Sequence, residues 1–159
     1  MLAAPYKLRR LGGADLPAMR GLLALYAEAF EMPGEYLDRQ PDDDWLGHLL
    51  QRPDFICLIA ELENGQIIGG LSAYLLQKFE QPRQEIFIYD LAVAEAWRRR
   101  GIASQMLGWV SREAEQLGAW VIIIEAEEGD EPAIQLYRKL ASSEEMAHHF
   151  NLAPQRGSS

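Results

Sequence analysis

Arg98, Arg99, Arg100 and Gly101 form the densest positive charge in the chain, and they stand directly before a helical pattern. Unpaired backbone N–H groups and the helix dipole favour an anion at such a place, and a glycine lets it approach the main chain. Upstream, Asp90 is the single carboxylate in the apolar run Ile86–Val93. Burying a carboxylate without a partner costs several kcal/mol, so Asp90 is expected to have a cation, a hydrogen-bond donor or a substrate beside it. Further carboxylates gather at Asp42, Asp43, Asp44 and Glu80, and at Glu125, Glu127 and Glu128. Together they could surround a polycation, although an exposed carboxylate is ordinarily only a solvated face.

The chain has 159 residues and a formal charge of −9, from 24 acidic and 15 basic side chains. That length suits one domain, expected over residues 1–152, with a flexible polar tail at 153–159. An acidic balance argues against general binding of nucleic acid or an anionic membrane and suits a cationic partner. The one cysteine, Cys57, lies in an apolar run and is read as a small buried hydrophobe. His48, His148 and His149 lack metal-ligand spacing, so no metal is expected and they receive no catalytic role. The amino terminus lacks a long apolar core with a small-residue cleavage site, which predicts a cytoplasmic protein.

Elements that would position these residues follow from periodicity. Residues 6–11 predict a first strand, and apolar residues from Leu16 to Phe30 recur at three-and-four spacing, as in an amphipathic helix. Residues 32–41 break that helix, and Asp42, Asp43 and Asp44 cap a short one after it. Two strands joined by Glu63-Asn64-Gly65 predict a hairpin. The run through Asp90 predicts a central strand, residues 102–117 a helix ended by Gly118, and residues 119–127 a strand buried on both faces. Strand, helix and strand of this length make a parallel βαβ unit. A helix over 131–140 and a terminal strand over 144–152 complete an α/β (α+β) domain whose mixed sheet is antiparallel in its first half.

The loop lacks both G-x-x-x-x-G-K-[ST] and G-x-G-x-x-G, which excludes the two common phosphate fingerprints. Arg98, Gly101 and Ala103 instead match [RQ]-x-x-G-x-[GA]. That pattern resembles the coenzyme A pyrophosphate loop of the GNAT N-acetyltransferase superfamily. The later segment of that superfamily, N-x-x-A-x-x-x-Y-x-K-L-G-F, is met here by Asp130, Ala133, Tyr137, Lys139 and Leu140, with Asp for Asn and Ala141-Ser142 for Gly-Phe. The stretches at 78–93, 98–103 and 118–140 look like the type I aminoglycoside 3-N-acetyltransferases, and 40–50 resembles their front half.

This resemblance implies acetyl-coenzyme A as donor and the 3-amino group of a deoxystreptamine ring as acceptor, with a sheet splayed at its central strand. It implies that amides of Arg99, Arg100, Gly101, Ile102, Ala103 and Ser104, with Arg98, hold the pyrophosphate, and that Asp130 and Ala133 also lie on the coenzyme side. Asp90 is then the candidate base, acting directly or through water, or otherwise a structural carboxylate. Backbone groups at Leu91, Ala92 and Val93, on a strand expected to bulge there, receive the thioester oxygen and the pantetheine arm. Tyr137 is the candidate acid toward the departing thiolate, or else an ordinary helix tyrosine. Exposed arginines are also compatible with a plain solvated surface. Other outcomes are transfer to a polyamine or a protein amino terminus, and a non-catalytic acetyl-coenzyme A sensor. Many relatives pair, so a homodimer is expected.

Overall fold

The computed structural model describes residues 5–155, and the last four residues of the expected tail lie outside them. These residues fall into two compact units that divide between Glu125 and Ala126.

In the first unit, β1 (Tyr6–Arg10) leads to α1 (Leu16–Ala29), a short α2 (Pro33–Leu37) and α3 (Asp43–Gln51). Strands β2 (Phe55–Leu62), β3 (Ile67–Gln77) and β4 (Gln84–Val93) follow, then α4 (Ile102–Leu117) and β5 (Ala119–Ile124). The sheet order is β1-β2-β3-β4-β5, antiparallel through β4 and parallel between β4 and β5. This is the mixed sheet expected from the sequence.

Strand β2 shows why two layers of helix form. Its residues alternate between faces, and both sets are apolar. Ile56, Leu58 and Ala60 pack with Ile102, Met106 and Val110 of α4, while Phe55, Cys57 and Ile59 pack with Met19, Leu22 and Tyr26 of α1. Two apolar clusters therefore lie on opposite sides of one sheet. On the α1 side Gly70 of β3 allows close approach, because a Cβ there would stand 2.0 Å from Leu22 Cδ1.

Three expectations need correction. Strand β5 is not buried on both faces: it pairs only with β4 and its residues Val121 to Ile124 are half-buried. It also ends at Ile124, so Glu125 and Glu127 lie beyond it and share no strand face. Residues 32–41 do not merely interrupt a helix, since α2 forms inside them with Pro33 at its start.

In the second unit, α5 (Glu131–Leu140) is the one helix among the described residues. Asp130 caps it, accepting a hydrogen bond from the Ala133 N–H at 3.3 Å. Asp and Asn both serve this role, which explains why Asp is tolerated where the resemblance has Asn. The helix ends as Ala141 turns extended, φ −73° and ψ 144°, so this end requires no glycine. The expected terminal strand over 144–152 is absent. Met146, Phe150 and Leu152 are exposed, and among the described residues no strand pairs with this segment to supply the ladder that an extended segment requires.

Gly70→Ala is expected to lower unfolding free energy by about 1–3 kcal/mol, since fully buried Leu22 has little room to withdraw. Urea titration followed by circular dichroism measures it, with an unchanged midpoint as the contrary result.

Candidate active site

The site is organised by an irregularity in β4. Its register against β3 runs Ala73↔Ile88 and then Ser72↔Asp90, which leaves Tyr89 as an extra residue. Such a bulge reverses the alternation of side chains beyond it. Ile86 and Ile88 belong to the α4 side, and in an unbroken strand Asp90 would join them in that apolar cluster. Instead Ala92 packs on the α1 side and Leu91 and Val93 on the α4 side, so Asp90 shares the α1 side with Ala92. The bulge lies at Tyr89, ahead of the expected Leu91–Val93.

Asp90 meets hydroxyl groups there. The Tyr36 hydroxyl donates to its Oδ1 at 3.1 Å, and the Ser72 hydroxyl donates to its Oδ2. No ion pair to Asp90 forms among the described residues. Tyr36 is also part of an aromatic group, with its ring 5.6 Å from that of Tyr26 and 5.8 Å from that of Phe30. Burial and the adjacent Asp90 charge push the Tyr36 phenol well above its ordinary range. Burial likewise raises Tyr26 and takes the Cys57 thiol to about 12. Cys57 is therefore a protonated core residue, as its sequence context suggests.

The same stretch is where the sheet opens. Pairing between β4 and β5 ends at Ile88↔Ile124, while β4 continues to Val93. From Tyr89 onward, β4 backbone groups directed away from β3 have no β5 partner. Apart from the Val93 carbonyl, which accepts from Arg98 Nε, no partner in β5 competes for them.

Beyond β4, a helical turn over Glu95–Trp97 leads into the arginine loop. Arg99 (φ 61°) and Gly101 (φ 80°) are left-handed, and no side chain caps α4. Alternating hand tends to turn successive N–H groups to one side, and the first amides of α4 lack a side-chain cap beside them, a backbone arrangement that suits an anion. Two arginines are engaged locally: Arg98 Nε donates to the Val93 carbonyl at 3.0 Å, and the Arg100 guanidinium lies 4.8 Å from the centre of the Trp97 ring. Ile102 anchors the helix start in the core, while Gly101 and Ser104 are exposed and Ala103 half-buried.

Within the first unit the acidic residues belong to separate elements. Asp42 caps α3 through the Trp45 N–H at 2.8 Å, and Asp43 pairs with Arg20 at 2.8 Å. Asp44 shares a shallow surface recess with them. Glu80 pairs with Arg83 at 3.4 Å in the β3–β4 connection. That connection meets β4 at Gln84, roughly 20 Å along the strand from Asp90 at the usual rise per residue. Glu125, Glu127 and Glu128 are exposed. In the second unit, Asp130 caps α5, Ala133 supplies the capped amide, and Tyr137 is part-buried with its phenol pushed up to about 12, first by burial and then by Asp130.

The acetyltransferase (GNAT) family matches residues 19–141. The chain belongs to this family. As a GNAT acetyltransferase it is similar to an aminoglycoside acetyltransferase from an uncultured soil metagenomic sample, HMB0005. They share 42% identity, with a TM-score of 0.90 over 96% of this chain and 100% of that one. A second soil enzyme, meta-AAC0020, solved in complex with sisomicin, is 30% identical with a TM-score of 0.87, over 95% of this chain and 97% of that one. An uncharacterised N-acetyltransferase, YycN, from Bacillus subtilis strain 168 is 27% identical over 110 residues, 69% of each chain.

Sequence reasoning missed Ser72 and Tyr36 in this acetyltransferase. A hydroxyl in the otherwise apolar centre of β3 was the available signal for Ser72. Tyr36 carried none, because its segment reads as a helix break.

The Asp130 cap can be tested in isolation. Asp130→Ala is expected to destabilise α5 by about 1 kcal/mol and Asp130→Asn by much less, as read by hydrogen exchange at amides of residues 134–140. Equal effects of the two would count against the cap.

Proposed function

We propose that this acetyltransferase moves the acetyl group of acetyl-coenzyme A onto an amine of an aminoglycoside, the 3-amino group of the deoxystreptamine ring in gentamicin-type compounds. The observation that carries this reading is the carboxylate of Asp90, turned by the bulge to the α1 side and held without a cation where β4 parts from β5. Similarity to soil aminoglycoside acetyltransferases, one of them bound to sisomicin, supports the acceptor class.

Acetyl-coenzyme A supplies an activated thioester. The left-handed loop at Arg99–Gly101 and the open α4 terminus suit its pyrophosphate, with the backbone of Arg99 to Ser104 as donors. An acceptor amine enters as ammonium and pairs with Asp90. Transfer of its proton to the carboxylate, directly or through water, frees the lone pair that attacks the carbonyl carbon. As the C–N bond forms, amides of the Leu91–Val93 stretch that face away from β3 stabilise the oxyanion, and the C–S bond breaks with the electron pair leaving on sulfur, while the second proton of the attacking nitrogen passes through solvent to that thiolate. Family resemblance assigns Tyr137 to the sulfur. With its phenol pushed up to about 12, Tyr137 stays protonated at neutral pH and acts as a hydrogen-bond donor to the thiolate.

Glu125, Glu127, Glu128 and the Asp42–Asp44 group are proposed to attract the acceptor's remaining ammonium groups. We also take the enzyme to be cytoplasmic and homodimeric. The unpaired outer edge of β5 among the described residues supports the second point. Sedimentation velocity is expected to give twice the chain mass, and a monomer at micromolar concentration contradicts it.

Incubation with acetyl-coenzyme A and gentamicin should release free thiol, and NMR of the product should place the acetyl group on the 3-amino nitrogen. Asp90→Asn is expected to lower kcat/KM by ~10²–10⁴ with acetyl-coenzyme A affinity unchanged, and Tyr137→Phe to lower kcat by less. Acetylation of spermine or peptides with no reaction on any aminoglycoside would sink the acceptor assignment.

A further inference from the structure

Two side chains from separate elements close on Asp90, and packing alone accounts for neither. Ser72 is the buried polar residue of the described core, 7% exposed, at the centre of an apolar strand. A hydroxyl there costs about 1–3 kcal/mol unless it is hydrogen-bonded, and its bond goes to Asp90 Oδ2. Helix α2 buries no residue completely, and its Tyr36 packs against the α1-side cluster only in part. It nevertheless delivers the Tyr36 hydroxyl to the other oxygen at 3.1 Å, with the Tyr36 ring held against Tyr26 and Phe30.

A bulged strand leaves its side chains less constrained than a regular ladder does. Asp90 turns about two side-chain torsions, and an acid-base group misplaced by about 1 Å can lose 10²-fold in rate. One donor on each oxygen fixes both torsions. No ion pair to Asp90 forms among the described residues, so the carboxylate is oriented by these two hydrogen bonds. We propose that Ser72 and Tyr36 are positioning residues that clamp the Asp90 carboxylate, one oxygen each, in the orientation that receives the acceptor ammonium. This rests on the reading that Asp90 acts on that amine.

The clamp is tested with Ser72→Ala, Tyr36→Phe and Ser72→Thr, the last of which keeps the donor. The first two are expected to lower kcat/KM for gentamicin roughly tenfold each through loss of one buried hydrogen bond, with acetyl-coenzyme A affinity by calorimetry unchanged. Ser72→Thr should retain most of the activity. In an Asp90→Asn background, Ser72→Ala and Tyr36→Phe should each cost less than about twofold, because they act through the carboxylate. Equal losses with and without Asp90, or full activity of both variants, would overturn the clamp. A readout independent of activity separates this from failure of the functional reading: crystal structures of Tyr36→Phe and Ser72→Ala should show the Asp90 carboxylate rotated or in more than one orientation. A single unchanged orientation in both would refute the proposal even if gentamicin is acetylated. Rotation in a protein inert toward every aminoglycoside would leave the clamp standing and remove only its substrate.

Discussion

One extra residue in β4 governs the site. Without the bulge at Tyr89, strand alternation would direct Asp90 toward Ile86, Ile88 and the face of α4, where a carboxylate would be desolvated with no donor in reach. With it, Asp90 joins the α1 side, where Ser72 and Tyr36 wait. The register shift also falls beside the last β4–β5 pair, Ile88↔Ile124. Carboxylate orientation and the opening of the sheet therefore occur within two residues of each other. A ligand that runs along the freed backbone would find the carboxylate near its path.

The rest of the first unit holds that strand in place. Strand β4 is an interior strand, supported by β3 along its whole length and by β5 over its first half. Helix α1 comes close because Gly70 has no side chain, and this brings Tyr26 and the α2 segment behind it to the same surface. Helix α4 grips the opposite side through Ile102, Met106 and Val110. Ile102 is also the first residue of that helix, so the core that stabilises the fold fixes where the amides of the arginine loop point.

Local rules made much of this legible in the sequence. Residues 102–117 and 131–140 form helices where periodicity places them, because Gly118 at the end of one and Pro132 at the start of the other act within a turn of their own positions. The hairpin at Glu63–Gly65 and the parallel βαβ unit follow from equally local signals. Properties that depend on a partner strand were not legible. The bulge exists only as a register between β3 and β4, and the half-exposure of β5 depends on whether anything lies beside it. Residues 144–152 alternate like a strand, yet alternation reports which face a residue would take and not whether a ladder is there to receive it. Asp90 stood out as a lone charge, but Tyr36 lies 54 positions away from it and nothing in its own segment announces the contact.

The choice of neutral donors around Asp90 has a further physical consequence. An arginine in place of Tyr36 would also have satisfied the carboxylate, and more strongly. It would have cancelled the charge, leaving an incoming ammonium with no net attraction and a like charge to displace. Hydroxyl groups satisfy lone pairs while leaving the full negative charge in a partly desolvated setting, where its attraction for a cation is stronger than in water. Several arginines are occupied elsewhere: Arg98 on the Val93 carbonyl, Arg100 on Trp97, Arg20 on Asp43 and Arg83 on Glu80. Positive charge is gathered at the start of α4 while no ion pair reaches Asp90 among the described residues, which is the arrangement that the proposed anionic donor and cationic acceptor require.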